Sequence, residues 1–496
     1  MNWSIPWTQI LLAAYVLMVV LTVLRVLYKQ HNTGTAFAWL IILFVFPLFG
    51  VIAYFMIGEP RLGQARAQRN EEMNRFYGAF AEHYLSSRHV DVEHEMGRRY
   101  HGLSKVASAI TGLEATRGNR MQLFSTTDSI VEAMMDDIEA AEHSCLLMFY
   151  IIEPQGRIAH LLEAVAEAAQ RGVHCTILAD AVGSKNFFTG PWPDRLHEAG
   201  VNVQVALPVG PLRTLFTRVD LRNHRKLLVV DGRIGYTGSF NLADPQYFKK
   251  GAGVGEWVDV MMRCQGPAVL EMAAVFFADV AVENDENLHE VQRYLTARYQ
   301  HMLPDLLPAE PPQGGIIAQV IPSAPEQSEQ VIHDTILCAL HAAKTRITIT
   351  TPYFVPDEPL LIALTTAARR GVEVTLIMPA KVDSLLVRYA SRAYYPILLE
   401  AGVRLALFEG GLLHAKTITI DGDYTLFGTV NMDMRSFFLN MEISLAIYDA
   451  GITAEVEALQ RQYRAQSHSV NVHAWQQRSP WWGLIENTVR LMSPLL

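Results

Sequence analysis

The sequence predicts an α/β protein made of two homologous halves that follow two apolar N-terminal segments. Three observations carry this expectation. Short apolar runs alternate with amphipathic runs of helical length, the pattern of strands and helices in a largely parallel sheet. The alternation occurs twice, in the same order, with AAQRGVHCTIL at 168–178 answered by AARRGVEVTLI at 367–377 and EAGVNVQVA at 198–206 by EAGVRLALF at 400–408. A polar motif, His-x-Lys-x4-Asp-x6-Gly-[Ser/Thr]-x-Asn, also stands once in each copy, beginning at His224 and at His414.

Along the chain, Ile10 to Tyr28 is apolar apart from Thr22 and Arg25, and Thr35 to Ile57 carries no charge. Runs of 19 and 23 residues are long enough to cross a bilayer core as helices. Arg25 can snorkel, Pro47 should kink the second span, and Trp3, Trp7 and Trp39 are expected at the interfaces. A cleaved signal peptide is disfavoured, because no Lys or Arg precedes residue 25. Residues 1–60 therefore read as a two-helix membrane anchor. Arg61, Arg66 and Arg69 outnumber Arg25 and Lys29 by one charge, a weak lean towards a cytoplasmic catalytic region.

Residues 61–120 are charged and helix-prone and read as a connector rather than core. The halves follow at 121–316 and 317–496, each as strand, helix, strand, helix, strand and hairpin. MFYIIEP at 148–154 matches TPYFVPD at 351–357 as the first strand and its exit. The first half carries extra residues around Pro208 to Thr217, expected as a loop beside its motif. Cys145, Cys175, Cys264 and Cys338 lie far apart and read as buried thiols. A net charge of −9 disfavours a nucleic-acid surface.

On a strand, side chains alternate, so His224 shares a face with Lys226, and His414 with Lys416. Asp231 and Asp421 fall at the strand ends before Gly, a hairpin signal, and are better placed to fix the turn than to react. The next strand offers Ser239 and Asn241, or Thr429 and Asn431. An ammonium, a hydroxyl and an amide suit a phosphate, and a neutral imidazole can attack phosphorus or carry a proton. Two halves about a pseudo-twofold axis would bring both imidazoles to one site, one as nucleophile and one as general acid.

The doubled motif resembles that of the phospholipase D superfamily. The wording around it, YFVPDE at 353–358, DSLLVRYASRAYY at 383–395, FEGGLLHAK at 408–416 and GTVNMDMRSFFLNMEISL at 428–445, is similar to bacterial cardiolipin synthases of the A type. The resemblance implies two phospholipase D-like halves packed as a pseudo-dimer in the bacterial inner membrane. It implies conversion of two phosphatidylglycerols into cardiolipin and glycerol through a phosphatidyl-histidine, or, alternatively, a hydrolase or another phosphatidyltransferase acting on membrane phospholipids. It places both motifs in the catalytic set: His224, Lys226, Asp231, His414, Lys416 and Asp421. By analogy His224 is the nucleophile and His414 the acid, with Asp259 and Glu442 as carboxylates supporting the imidazoles. No metal or other cofactor is expected, and the sequence has no H-E-x-x-H.

For the acceptor, the loop Tyr353 to Glu358 follows a strand end, and Asp357 or Glu358 is expected to bind its glycerol, with Arg435 near its phosphate. Leu412 and Leu413 are expected as an apolar lip, together with Phe437, Phe438 and Leu439. The tail from Trp481-Trp482 to Leu495-Leu496 reads either as an interfacial amphipathic stretch or as a packed terminal helix. The sequence leaves the oligomeric state open, a homo-oligomer included.

Overall fold

The computed structural model describes residues 7–29, 33–58, 64–208, 221–284, 315–325 and 330–493. Trp3, Arg61, the loop beyond Pro208 and the last two leucines of the tail lie outside them. The chain divides into two compact units, Met1–Ala65 with Val209–Leu221, and Arg66–Pro208 with Arg222–Leu496.

In the first unit Trp7–Tyr28 is one helix of 22 residues, about 33 Å at the α-helical rise. It is the single described helix both long and apolar enough to cross a membrane. The second apolar stretch is interrupted where Pro47 is expected to kink it. It breaks at Phe46 into Thr33–Val45 and Pro47–Ala53, followed by the π-helical turn Tyr54–Gly58. Pro47 cannot donate to the preceding turn, so the helix is interrupted and restarts there. Gly50 comes so near the backbone of Ile42 and Leu43 that a Cβ would lie 3.1 Å from it. Trp39, expected at an interface, is buried edge-on against Tyr54.

The second unit is built on a mixed sheet rather than a largely parallel one. In the first half Ser144–Phe149, His174–Asp180 and Asn202–Ala206 are parallel, as sequential βαβ units require. Leu227–Val230 then pairs antiparallel with Ser144–Phe149, turns into Ile234–Gly238, and is followed by Met261–Gln265. The second half repeats this with Arg346–Thr350, Glu373–Pro379 and Arg404–Phe408, the hairpin Thr417–Ile420/Tyr424–Gly428, and Asn440–Tyr448. Thr116–Phe124 and Ile316–Ser323 pair with each other and join the two halves edge to edge. Among the described residues this gives one sheet of 16 strands.

Helices Thr127–Glu139 and Arg157–Gln170 bury Ile130, Met134, Leu161 and Val165 on one face of the first half. On the other face Pro267–Glu283 is buried along nearly its whole length, in a core shared with Phe427, Leu445 and Ile447 of the second half. The expected connector also belongs partly to the core. Helix Arg98–Thr111 buries Tyr100, Leu103 and Ala107 in the same cluster as Ile336 and Leu340, and the sheet already begins at Thr116. Its apolar residues recur at helical spacing among charges, so one face is buried while the composition reads polar.

Candidate active site

Each motif histidine stands just before its hairpin strand, where a two-residue strand crosses to the other half. Arg222–Asn223 pairs in parallel with Asn440–Met441, and Leu412–Leu413 with Trp257–Val258. The backbone N–H of His224 donates to Met441 O at 2.9 Å and that of His414 to Val258 O at 2.8 Å. Gly411 makes the second crossing possible: at φ +130° it runs so close to Glu256 that a Cβ would lie 2.4 Å from the carbonyl oxygen.

These crossings exchange the carboxylates. His224 Nδ1 lies 2.9 Å from Glu442 Oε2, and His414 Nδ1 lies 2.6 Å from Asp259 Oδ1. Each half therefore supports the imidazole of the other. Because the carboxylate accepts, Nδ1 carries the proton and Nε2 keeps its lone pair for chemistry. Ser239 donates to Asp259 at 2.6 Å, and Thr429 donates to Glu442. Both hydroxyls were expected to face a phosphate; fully buried, they hold the carboxylates instead.

Burial, with the nearby lysine charges, pushes both imidazoles down to about 4, so both are neutral near pH 7. Burial would raise Glu442 and Asp259, but the facing histidine and lysine outweigh it and hold both below the usual carboxylate range. Lys226 Nζ and Lys416 Nζ donate to the carbonyls of their own histidines, at 2.8 and 2.6 Å. Burial lowers Lys226 to about 8 and Lys416 to about 7, the latter also through repulsion from Lys226. With both lysines charged, two cations face two carboxylates around two neutral rings. A phosphodiester entering this neutral cluster adds one negative charge, which favours proton uptake by one imidazole.

Both histidines line a cleft of about 640 Å³. Tyr150 stands edge-on to His224 at 5.1 Å, and Trp257 lies 4.3 Å from His414. Asn241, Asn431 and Arg435 line the cleft. Asp231 and Asp421 do not. Each sits at φ near +50° in its hairpin turn. Asp231 accepts from the amides of Glu142, His143 and Ser144, and Asp421 from those of Lys344, Thr345 and Arg346. Both pin the start of the first strand of their half.

Asp357 and Glu358 are also outside the cleft lining. Asp357 caps helix Glu358–Arg369 by accepting from Leu360 N at 3.1 Å and faces His333 Nε2 at 2.9 Å, while Glu358 is exposed. The Asp-Glu-Pro sequence is a helix-start signal and accounts for this placement. Leu412 is no open lip: it is buried with Trp257, Ile151 and Val254. Phe437 and Phe438 pack on His333. Tyr353, the first residue of the loop expected at the acceptor site, lines the cleft, as do Tyr150, Trp257, Asn440 and Arg222, which the motifs do not single out. The two tyrosines occupy matching places in MFYIIEP and TPYFVPD, a signal that was available.

The family described as "Cardiolipin synthase, PLD-like domain" matches residues 134–251 and 336–463, and "Phospholipase_D-nuclease N-terminal" matches 12–59. The chain is 41% identical over 489 residues to cardiolipin synthase A of Erwinia tasmaniensis, with 98% of each covered. It is 39% identical over 494 residues to cardiolipin synthase A of Escherichia coli, with 99% of each covered. Among solved structures, phosphatidylserine synthase of Haemophilus influenzae aligns with a TM-score of 0.59 at 15% identity, over 80% of this chain and all of that one, a likeness of fold. With its two halves, its paired histidine motifs and its full-length identity to these relatives, the chain belongs to the phospholipase D-like cardiolipin synthase family.

Proposed function

We propose that the protein is a membrane-bound phosphatidyltransferase that converts two phosphatidylglycerols into cardiolipin and glycerol. The observation that carries this reading is the pair of neutral imidazoles on one cleft, each fixed by a carboxylate of the opposite half. It is joined to full-length identity with cardiolipin synthases. One neutral Nε2 attacks phosphorus, while the other imidazole, which has taken up a proton at Nε2 as the phosphate enters, gives that proton to the departing glycerol oxygen. The acceptor's primary hydroxyl then attacks the phosphatidyl-histidine, returns its proton to that imidazole, and the N–P bond breaks. His224 is assigned as nucleophile and His414 as acid and base, and Lys226 and Lys416 neutralise the phosphate.

The exposed apolar helix Trp7–Tyr28 supports anchoring in a lipid bilayer. The broken second apolar segment is read as a shorter membrane insertion beside it, in a bacterial inner membrane with the catalytic unit on the cytoplasmic side. Nucleic acid is not a substrate, given the net charge of −9. The test is incubation of the purified protein with labelled phosphatidylglycerol vesicles and, separately, with DNA. Cardiolipin and free glycerol are expected. Phosphatidic acid as the main product would make the protein a hydrolase, and DNA cleavage would overturn the reading.

A further inference from the structure

The pseudo-twofold frame is occupied by different chemistry at its two ends. In one crossing Arg222 stands in register opposite Asn440; at the matching place in the other, Leu412 stands opposite Trp257. The backbone is the same, but one end carries two arginines while the other is apolar where the strands cross, with the Lys249–Asp383 ion pair at 2.9 Å on its rim. Arg435, from the short helix Met434–Phe438, lines the polar end, and both arginine charges act on the phenol of Tyr150 beside His224. Around His414 the cleft instead meets a buried apolar cluster of Ile151, Val254, Trp257 and Leu412.

We propose that Arg222 and Arg435, with Asn440, form a second phosphate subsite that holds the phosphodiester of the acceptor lipid, the one that is not transferred, while Trp257, backed by the buried Leu412, packs against the glycerol-ester part of the donor. The proposal rests on the transferase reading above and names how its second substrate is recognised.

The placement of charge around the cleft favours such a subsite. Lys226 and Lys416 are already matched by Asp259 and Glu442 and serve one phosphate. Transfer to water or to a simple alcohol needs no more than that. A phosphatidylglycerol acceptor brings a second anion into the same low-dielectric cleft, and that anion needs its own cations. Arg222 is 8% exposed, with Nη1 3.8 Å from Asp180 Oδ2, so its guanidinium is anchored from behind. Between the two phosphate positions the acceptor offers glycerol hydroxyls. Among the described residues, the Oδ1 atoms of Asn431 and Asn440 are buried without a hydrogen-bond partner, on side chains 5% and 8% exposed that line the cleft. They are suited to accept from those hydroxyls.

The test compares two acceptors in phosphatidylglycerol vesicles: phosphatidylglycerol itself, read as cardiolipin, and 1-butanol, read as phosphatidylbutanol. Arg222→Leu copies the residue at the matching place of the other half, and Arg435→Gln tests the same subsite from a short helix. Each should lower cardiolipin formation by about tenfold or more, the scale of one lost charge-assisted phosphate contact, with a clearly smaller fall in phosphatidylbutanol. Arg222→Lys should recover part of the cardiolipin by keeping the charge. A parallel fall of both products in both variants would overturn the subsite, as would an unchanged product ratio. Wild-type protein that makes neither product would instead sink the transferase reading.

Discussion

At the residue scale, the site depends on proton positions that the two carboxylates enforce. Replacing either histidine by Ala should lower turnover by orders of magnitude, because nucleophile and acid act as a unit. A phosphorylated peptide trapped in a quenched reaction should contain His224; one containing His414 would reverse the assigned roles. Glu442→Gln and Asp259→Asn keep the shape but release the tautomer of the opposite half's ring. Each should cost about 10²–10⁴-fold in kcat, the usual worth of positioned acid–base catalysis. The pH dependence follows from the shifted groups. The imidazoles, lowered to about 4, become protonated only below that pH and then lose the nucleophile. The lysines, lowered to about 7 and about 8, lose their charge as pH rises through those values. kcat/KM, which reports the free enzyme, should therefore fall as pH rises above about 4, because the acid's proton must be taken up on binding, and fall more steeply above about pH 7–8 as the lysines lose their charge. A profile flat to pH 10 would count against lysine binding of the phosphate.

At the scale of elements, the hairpins and the C-terminal helix show what the sequence could and could not convey. The turn at Asp231-Gly232 and its partner at Asp421-Gly422 was legible, because Asp-Gly between apolar strands is a turn signal. The partners of the carboxylates were not, since those amides lie 87 to 89 positions from Asp231. Asp231→Ala should lower unfolding free energy by about 2–4 kcal/mol through the lost charged hydrogen bonds, while the folded enzyme keeps kcat within a few-fold. A stable but inactive variant would restore Asp231 to the catalytic set. The two readings of the tail are separated by exposure. Helix Pro480–Arg490 turns Trp481 and Trp482 outward at 72% and 44% exposure and buries Glu486, which pairs with Arg478 at 2.8 Å. Trp482 stacks on Tyr389 of helix Leu385–Arg392, whose Leu385 and Leu386 are exposed and whose Val387 lines the cleft. An apolar, Trp-bearing face that runs to the mouth of the cleft suits a lipid surface. Trp481→Ala with Trp482→Ala should lower activity on vesicles by about tenfold or more while sparing activity on short-chain monomeric phosphatidylglycerol. Equal losses on both substrates would make the helix purely structural.

At the scale of the whole molecule, the two halves form one machine because their parts are exchanged. The repeat in the sequence announced two like halves but not the exchange: a period shows which segments correspond, not whether each pairs within its own copy or across. One residue inside the first motif ties the exchange together. Arg225, between His224 and Lys226, is fully buried; its guanidinium pairs with Asp279 and donates to the carbonyls of Glu442 and Ser323, each at 3.0 Å. The second motif has Ala415 at that place, so the link is made once. Glu442 is also the carboxylate that holds His224, so Arg225 braces from the first half the strand that supplies it. Removing one partner of a buried ion pair leaves the other uncompensated. Arg225→Ala should cost about 3–5 kcal/mol, with the buried Asp279 left without its cation and bonded, among the described residues, only to Asn223 Nδ2. Replacing both, Arg225→Met with Asp279→Leu, should recover much of that stability, since an apolar pair of similar size often matches a buried ion pair. Activity should not recover with it, because nothing then holds the Glu442 carbonyl. Thermal unfolding and cardiolipin synthesis measured on the wild type, the single variant and the double variant separate the two effects. If stability and activity return together, Arg225 is only a core ion pair, and the bracing of Glu442 is assigned to the wrong residue.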